Sequence, residues 1–199
     1  MHLFHQGGFV MWPLLAVSVV ALAVVIERFL LMSSCPFPGK GFSRLVQETL
    51  KTGDARPLAA SMERARLLQD YAAVLADSGH PRREAALQLA GAAVVARLER
   101  RLPLLGLLAR IAPLLGLLGT ILGMIATFAR IASAQAGVDM NMLSGGIWQA
   151  LLTTAAGLCI AIPAQLCLHL LRGRVRRIAR ALADAGNAAL AAGKETRHA

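Results

Sequence analysis

The chain has 199 residues, 56% of them hydrophobic and 5% aromatic, with 21 Lys and Arg against 11 Asp and Glu. A basic excess suits nucleic acid or a membrane surface, but the arginines are interleaved with Glu and Asp and have almost no aromatic neighbours, which argues against a nucleic-acid face. Long charge-free runs alternate with charged blocks, the pattern of an all-α polytopic membrane protein.

Residues 1–8 carry no Lys, Arg, Asp or Glu; His2 and His5 are spaced for one helical face, but two ligands leave a metal underbound. Phe9 to Ile26 is eighteen residues without a formal charge and stays apolar after Glu27-Arg28 to Met32, long enough for a first transmembrane helix. A cleaved signal peptide fits poorly, because the front is uncharged and the basic residues follow the apolar run. Glu27 and Arg28 then fall at the inner end of the span, where Arg28 can snorkel and Glu27 needs water or a cationic partner.

Ser33 to Pro103 holds eleven Lys and Arg and seven Asp and Glu, opened by the breaker Pro36-Phe-Pro-Gly39. One helix is predicted over Phe42–Lys51, stopping at Thr52-Gly53. Asp54 caps a second stretch to about Ser78 that is broken in its middle. A third begins near Pro81, a good first-turn proline. No firm stop follows before the membrane, so one helix, kinked at Pro103 and Pro113, is expected from about Arg82 to Ile131, roughly 75 Å long at 1.5 Å per residue.

Ile111 to Ala129 is the second charge-free span, nineteen residues, followed by a short polar connection through Arg130, Ser133, Gln135, Gly137, Asp139 and Asn141. The third span is Gly145 to Leu171, and Arg172, Arg174, Arg176, Arg177 and Arg180 follow it. The alanine-rich basic tail is expected to be helical to about Ala192. Cys35, Cys159 and Cys167 form no C-x-x-C pair and two lie inside a hydrophobic run, so they read as apolar fillers rather than a disulfide or zinc site. No metal or cofactor is expected.

The chain thus divides into residues 1–32 (outer end and first span), 33–104 (helical loop and inner part of the second long helix), 105–132 (second span), 133–144 (outer connection), 145–171 (third span) and 172–199 (inner basic tail). Lys and Arg number eleven after span one and seven after span three, none before span one, and Arg130 alone in the outer connection. The positive-inside rule therefore places the N-terminus outside and the large loop and C-terminus inside.

At 100° per residue, one side of span two collects Ala112, Gly116, Gly119, Thr120, Gly123, Ala126 and Thr127, and span three carries a like stripe of Gly146, Ala150, Thr153, Thr154, Gly157, Ala161 and Ala164. Small residues let helices approach closely, so Gly116, Gly119, Gly123 and Gly157, with Pro113 and Pro163, read as packing residues. Thr120 and Thr154 each lie about 13 Å into a core roughly 30 Å thick, near the midplane. Two hydroxyls at one depth either bond to their own helix or line a narrow polar path, with Thr127, Thr153 and Gln149 as further members. Neither span holds an Asp, Glu, Lys or Arg between Ile111 and Ala129 or between Gly145 and Leu171, and His169 lies only at the inner end. A proton path normally needs an ionisable relay in the membrane, so the acid would have to come from another chain. Arg110 faces away from the small stripe at the inner boundary, towards a subunit interface or lipid headgroups, and Arg130 lies near the outer mouth, where it either tunes cation entry electrostatically or makes a surface contact to Asp139.

Ala112-Pro-Leu-Leu-Gly-Leu-Leu-Gly-Thr-Ile-Leu-Gly-Met124 resembles the second-helix signature of the MotA/TolQ/ExbB proton-channel family, and Gly146-Ile-Trp-Gln-Ala-Leu-Leu-Thr-Thr-Ala-Ala-Gly-Leu-Cys-Ile-Ala-Ile-Pro-Ala164 its third-helix signature. Glu27-Arg28 and Arg97-Leu-Glu-Arg-Arg-Leu-Pro-Leu-Leu105 are also similar, and three spans rather than four point to the ExbB/TolQ branch. The resemblance implies a homopentamer in the bacterial inner membrane, enclosing single-span ExbD- or TolR-like partners whose aspartate carries the proton. It implies work on a TonB- or TolA-like protein, and pore threonines at Thr120 and Thr154. Where the family's best-known ExbB has a glutamate in helix three, this chain has Gln149, which removes an acid from this subunit and leaves the partner aspartate. A non-conducting membrane scaffold is the competing reading. An enzyme lacks support, with no nucleophile–base pair, metal-ligand cluster or phosphate loop.

Overall fold

The structure is a computed structural model and describes residues 9–33, 37–39, 41–63, 65–77, 79, 82–133 and 140–195, with the side chains at 141, 142, 194 and 195 not among them. His2, His5, Cys35, Pro36, Pro81 and Asp139 lie outside the described residues, and with them the expected Arg130–Asp139 contact and the proline start of the third loop helix.

Seven α-helices are described: α1 (Met11–Ser33), α2 (Phe42–Thr52), α3 (Arg56–Glu63), α4 (Gln69–Ala76), α5 (Arg83–Glu99), α6 (Leu102–Ser133) and α7 (Met140–Glu195). Three stretches are long and apolar enough to cross a membrane: Met11–Ser33, Arg83–Ser133 and Leu143–Gly193. Among the described residues there is no strand.

Local chemistry sets the boundaries of the short helices. α2 stops where Gly53 takes a left-handed φ of 74° and its N–H donates to the Thr49 carbonyl at 3.0 Å, a conformation glycine adopts without a Cβ penalty. The Asp54 carboxylate accepts the Arg56 N–H at 2.9 Å and so caps α3. The stretch from Asp54 is broken in its middle, with a 3-10 turn at Arg66–Leu68 between α3 and α4.

The single helix expected from Arg82 to Ile131 is two helices. α5 ends at Glu99 and α6 begins at Leu102, with Arg100 and Arg101 between them. Pro103 has no N–H to offer the Glu99 carbonyl, and its ring crowds that oxygen. In the first turn of α6 the missing donor costs nothing, because those N–H groups have no helical partner anyway. Pro113, by contrast, lies inside α6 and Pro163 inside α7, and both helices continue through them.

The chain forms two compact units. One combines Met1–Glu27 with Leu102–His169 and the other combines Arg28–Arg101 with Leu170–Ala199. In the first, apolar unit, Val10, Met11 and Leu14 of the α1 end pack with Ala112 of α6 and Ala161 of α7. The second, charged unit has a core of Leu58, Met62, Leu68, Leu75, Leu98 and Ile178, each essentially inaccessible.

Polar side chains lock the charged unit at chosen points. Arg28 is buried and its Nη1 donates to the carbonyls of Arg97 (3.1 Å) and Leu98 (3.4 Å). Those oxygens belong to the last turn of α5, where carbonyls lose their helical donors and a cation is favoured by the helix dipole. Arg28, read from the sequence as able to snorkel, here caps the last turn of α5. The Tyr71 hydroxyl donates to the Leu182 carbonyl at 2.6 Å. Burial pushes that hydroxyl up from 10.0 to about 12, and a backbone hydrogen bond at Gly186 pulls the other way. Arg83 spans Leu75 (2.7 Å) and Ala189 (3.1 Å) through its two terminal nitrogens. None of these three roles was read from the sequence. The signals were a lone tyrosine in an aliphatic stretch and mid-helix glycines at 91 and 186, which admit its ring and hydroxyl.

Candidate functional site

The small-residue stripes of α6 and α7 face each other. A Cβ built on Gly157 would lie 2.6 Å from the Ala112 carbonyl oxygen and 3.2 Å from Gly116 Cα. One on Gly116 would stand 3.0 Å from the Thr153 carbonyl oxygen. On Gly119 it would meet the Thr153 hydroxyl at 2.7 Å, and on Gly123 it would touch Ala150 Cβ at 3.4 Å. Gly146 abuts the Thr127 side chain so closely that a Cβ there would collide with it. These distances leave no room for side chains along most of the seam, which is what small residues at a membrane helix contact provide.

Four hydroxyls border the seam, and the structure separates them. Thr127 and Thr153 are buried in the helix contact, 3% and 1% exposed. Thr127 donates to the Gly123 carbonyl at 2.8 Å and Thr153 to the Ala150 carbonyl at 2.7 Å, each one turn back in its own helix. Within one chain these two, read from the sequence as further members of a polar path, sit against Gly146 and Gly119 where the stripes pair. Thr120 and Thr154 are half-buried at the edge of the same contact. Thr120 donates to the Leu117 carbonyl at 2.6 Å. Thr154 donates across the seam to the Gly116 carbonyl at 3.1 Å. In regular α geometry that carbonyl also accepts the N–H of Thr120. One carbonyl therefore ties the Thr154 hydroxyl to the Thr120 turn, which brings the two midplane threonines to one level of the helix pair.

The other expected members lie nearby or elsewhere. Gln149 is half-buried, one turn before Thr153. Pro113 is half-buried beside Ala112, and Pro163 is exposed. Arg110 and Arg130 are exposed and Glu27 is half-buried. Beyond Thr120 the surface of α6 is an apolar trough of Thr120, Ile121, Met124, Ile125 and Phe128. Cys159 is exposed and Cys167 half-buried, and both are free thiols.

The two spans form an all-α membrane helix pair packed through glycines, with hydroxyls at its rim. Comparison with known proteins supplies the class. The chain belongs to the MotA/TolQ/ExbB proton channel family, whose model matches residues 51–184. It is 33% identical over 170 residues to the biopolymer transport protein exbB1 of Vibrio cholerae serotype O1, covering 80% of this chain and 73% of that one. It is 34% identical over 184 residues to the ExbB-like 1 protein of Synechocystis sp., covering 84% of this chain and 68% of that one.

Proposed function

We propose that this chain is the wall subunit of a proton-driven energy transducer in a bacterial inner membrane, of the ExbB type. Five copies surround single-span ExbD-like partners, and the proton gradient drives work on a TonB-like protein for import across the outer membrane. The N-terminus lies on the periplasmic side and the charged unit on the cytoplasmic side, as the distribution of Lys and Arg favours. Both relatives carry ExbB names, which supports the Ton-type assignment over a TolQ-like subunit of a Tol-Pal-type envelope system.

The observation that carries this reading is the pair Thr120 and Thr154, half-buried at one level of two spans that hold no acid. Both hydroxyl protons are donated to backbone carbonyls, so at rest each oxygen offers lone pairs outward. Such a rim accepts a hydrogen bond from a protonated carboxylic acid on a partner helix. When the acid releases its proton, a hydroxyl can rotate off its carbonyl and donate to the carboxylate instead. The wall thus accommodates both states of a partner acid without a charge of its own, which matters because an unpaired ion in the hydrocarbon core is costly.

The test is proton flux into liposomes carrying the purified complex with its partner. Thr120→Val with Thr154→Val is expected to leave the assembly intact and abolish flux, as an Asp→Asn change in the partner span does. Wild-type flux in the double variant removes the hydroxyls from the mechanism. An absence of flux in the wild-type complex favours a non-conducting scaffold.

A further inference from the structure

The part of α7 that belongs to the charged unit carries a row of arginines that nothing in the chain answers. Arg172, Arg176, Arg177 and Arg180 are all exposed. Among the described residues none of the four makes a hydrogen bond or an ion pair. No Asp or Glu precedes Asp184 in α7. At 100° per residue Arg172, Arg176 and Arg180 step round the helix by about 40° each and Arg177 lies about 60° further, so the four share an arc of roughly 140°. The opposite side of α7 is the packed one, with Leu171, Val175, Ile178 and Leu182 buried. The positive-inside rule accounts for basic residues on this side of a membrane, but not for their gathering, unpaired, on one arc.

Two independent observations place this arc at a membrane face. The charge-free run of the third span ends at Leu171, one residue before Arg172. Arg174, in the first turn of the arc, donates through Nη2 to the Met32 carbonyl at 3.1 Å, and Met32 lies in the last turn of α1, the helix of the first span. The start of the arc is thus level with the end of a second apolar helix. From Arg172 to Arg180 the helix rises about 12 Å at 1.5 Å per residue, enough to cross a headgroup layer of about 5–8 Å. Leu170, seven residues before Arg177 and so on nearly the same line, is 62% exposed. Apolar surface therefore runs directly into guanidinium groups at the depth where a lipid's chains give way to its phosphate.

We infer that the arc of Arg172, Arg176, Arg177 and Arg180 binds the phosphates of anionic phospholipids in the leaflet where the third span ends. The planar guanidinium fork takes phosphate oxygens in pairs, and basic residues just outside a span are drawn to anionic headgroups. A zwitterionic lipid offers the same phosphate but brings its own ammonium, so an arc without an acid selects lipids of net negative charge. An acidic protein segment could neutralise the same arginines, but it has no use for an exposed leucine at the membrane boundary. The inference needs only that the chain crosses a membrane and stands apart from proton passage.

Fluorescence quenching tests which lipid surrounds the arc in the full-length protein in nanodiscs. Leu170→Trp, with Trp12 and Trp148 replaced by phenylalanine, puts a single fluorophore beside the arc. Quenching is expected to give brominated phosphatidylglycerol a local affinity about fivefold above that of brominated phosphatidylcholine, the scale of one arginine near an anionic surface. Replacing all four arginines by glutamine is expected to abolish the preference, and replacing them by lysine to keep most of it. Equal quenching by the two lipids with the arginines in place, or a preference that survives the four glutamines, overturns the inference. The unsubstituted chain gives a second measurement: it is expected to unfold at a higher temperature in phosphatidylglycerol than in phosphatidylcholine nanodiscs. Equal unfolding temperatures in the two lipids also overturn it.

Discussion

The apolar unit and the charged unit solve the same packing problem in opposite ways. In the apolar unit α6 and α7 meet through missing side chains: Gly116, Gly119 and Gly157 let backbone approach backbone. In the charged unit helices meet through large side chains, with Leu58, Met62, Leu68 and Leu75 in the core and Arg28, Tyr71 and Arg83 reaching across to carbonyls. The difference follows from the solvent. Lipid is as apolar as leucine, so burying leucine between spans gains little and close contact must supply the attraction. In water each buried aliphatic side chain contributes about 1.5–3 kcal/mol, and long polar side chains then fix the geometry.

The sharpest break in this comparison should come from the glycines. Gly157→Ala forces a methyl onto the Ala112 backbone, which cannot yield, and should destabilise by about 3 kcal/mol in a denaturant titration of the detergent-solubilised protein. Gly119→Ala meets only the Thr153 side chain, its Cβ at 2.8 Å included, so Thr153→Gly should relieve the clash where Thr153→Ala does not, while no side-chain deletion should rescue Gly157→Ala. Equal rescue of both would mean that the seam is softer than its distances indicate.

Next in size is the α5 cap. Arg28→Met keeps the bulk of the side chain but strands two carbonyls, and should cost about 2 kcal/mol, the scale of hydrogen bonds to charged groups. Hydrogen exchange should locate the loss in the last turn of α5 rather than in α1.

Tyr71→Phe should cost about 1 kcal/mol and change the response to alkali. The folded pKa of about 12 lies above the ordinary 10.0, so the stabilisation is fully present below pH 10 and is lost as pH rises towards 12. Each unit corresponds to roughly 1.36 kcal/mol. The phenylalanine variant should lose less stability between pH 10 and 12 than the wild type, a difference readable by circular dichroism. The smallest structural effect belongs to Thr120→Val, whose hydroxyl bonds only within its own helix. It should shift stability by no more than about 0.5 kcal/mol while reducing proton flux, separating conduction from packing.

Much of this molecule could be read before any coordinates. Three charge-free runs showed where the spans lie, because no polar backbone segment survives in lipid unless it is helical. Gly53 and Asp54 marked the loop boundary, since left-handed backbone and an N-terminal carboxylate cap are local requirements. The small stripes of α6 and α7 were visible as well, because helical periodicity is a property of the chain itself.

Which groups those stripes would meet was not a local property. Depth alone set Thr120 and Thr154 apart from Thr127 and Thr153 in sequence, and the pairing of α6 with α7 buried the latter two against glycine and left the former two at the rim. The helix expected to run from Arg82 through a kink at Pro103 is divided at Arg100–Arg101, and near that division the Arg97 and Leu98 carbonyls accept from Arg28, 69 and 70 residues away in sequence. Tyr71 reaches Leu182 across 111 residues in the same way. Sequence by itself determined the spans, their small faces and the absence of an acid in the membrane, because composition and period follow from residue type alone. The tertiary structure decided which hydroxyls are buried in the helix contact and which polar side chains bind the charged unit, because those depend on what a distant segment presents at the point of contact.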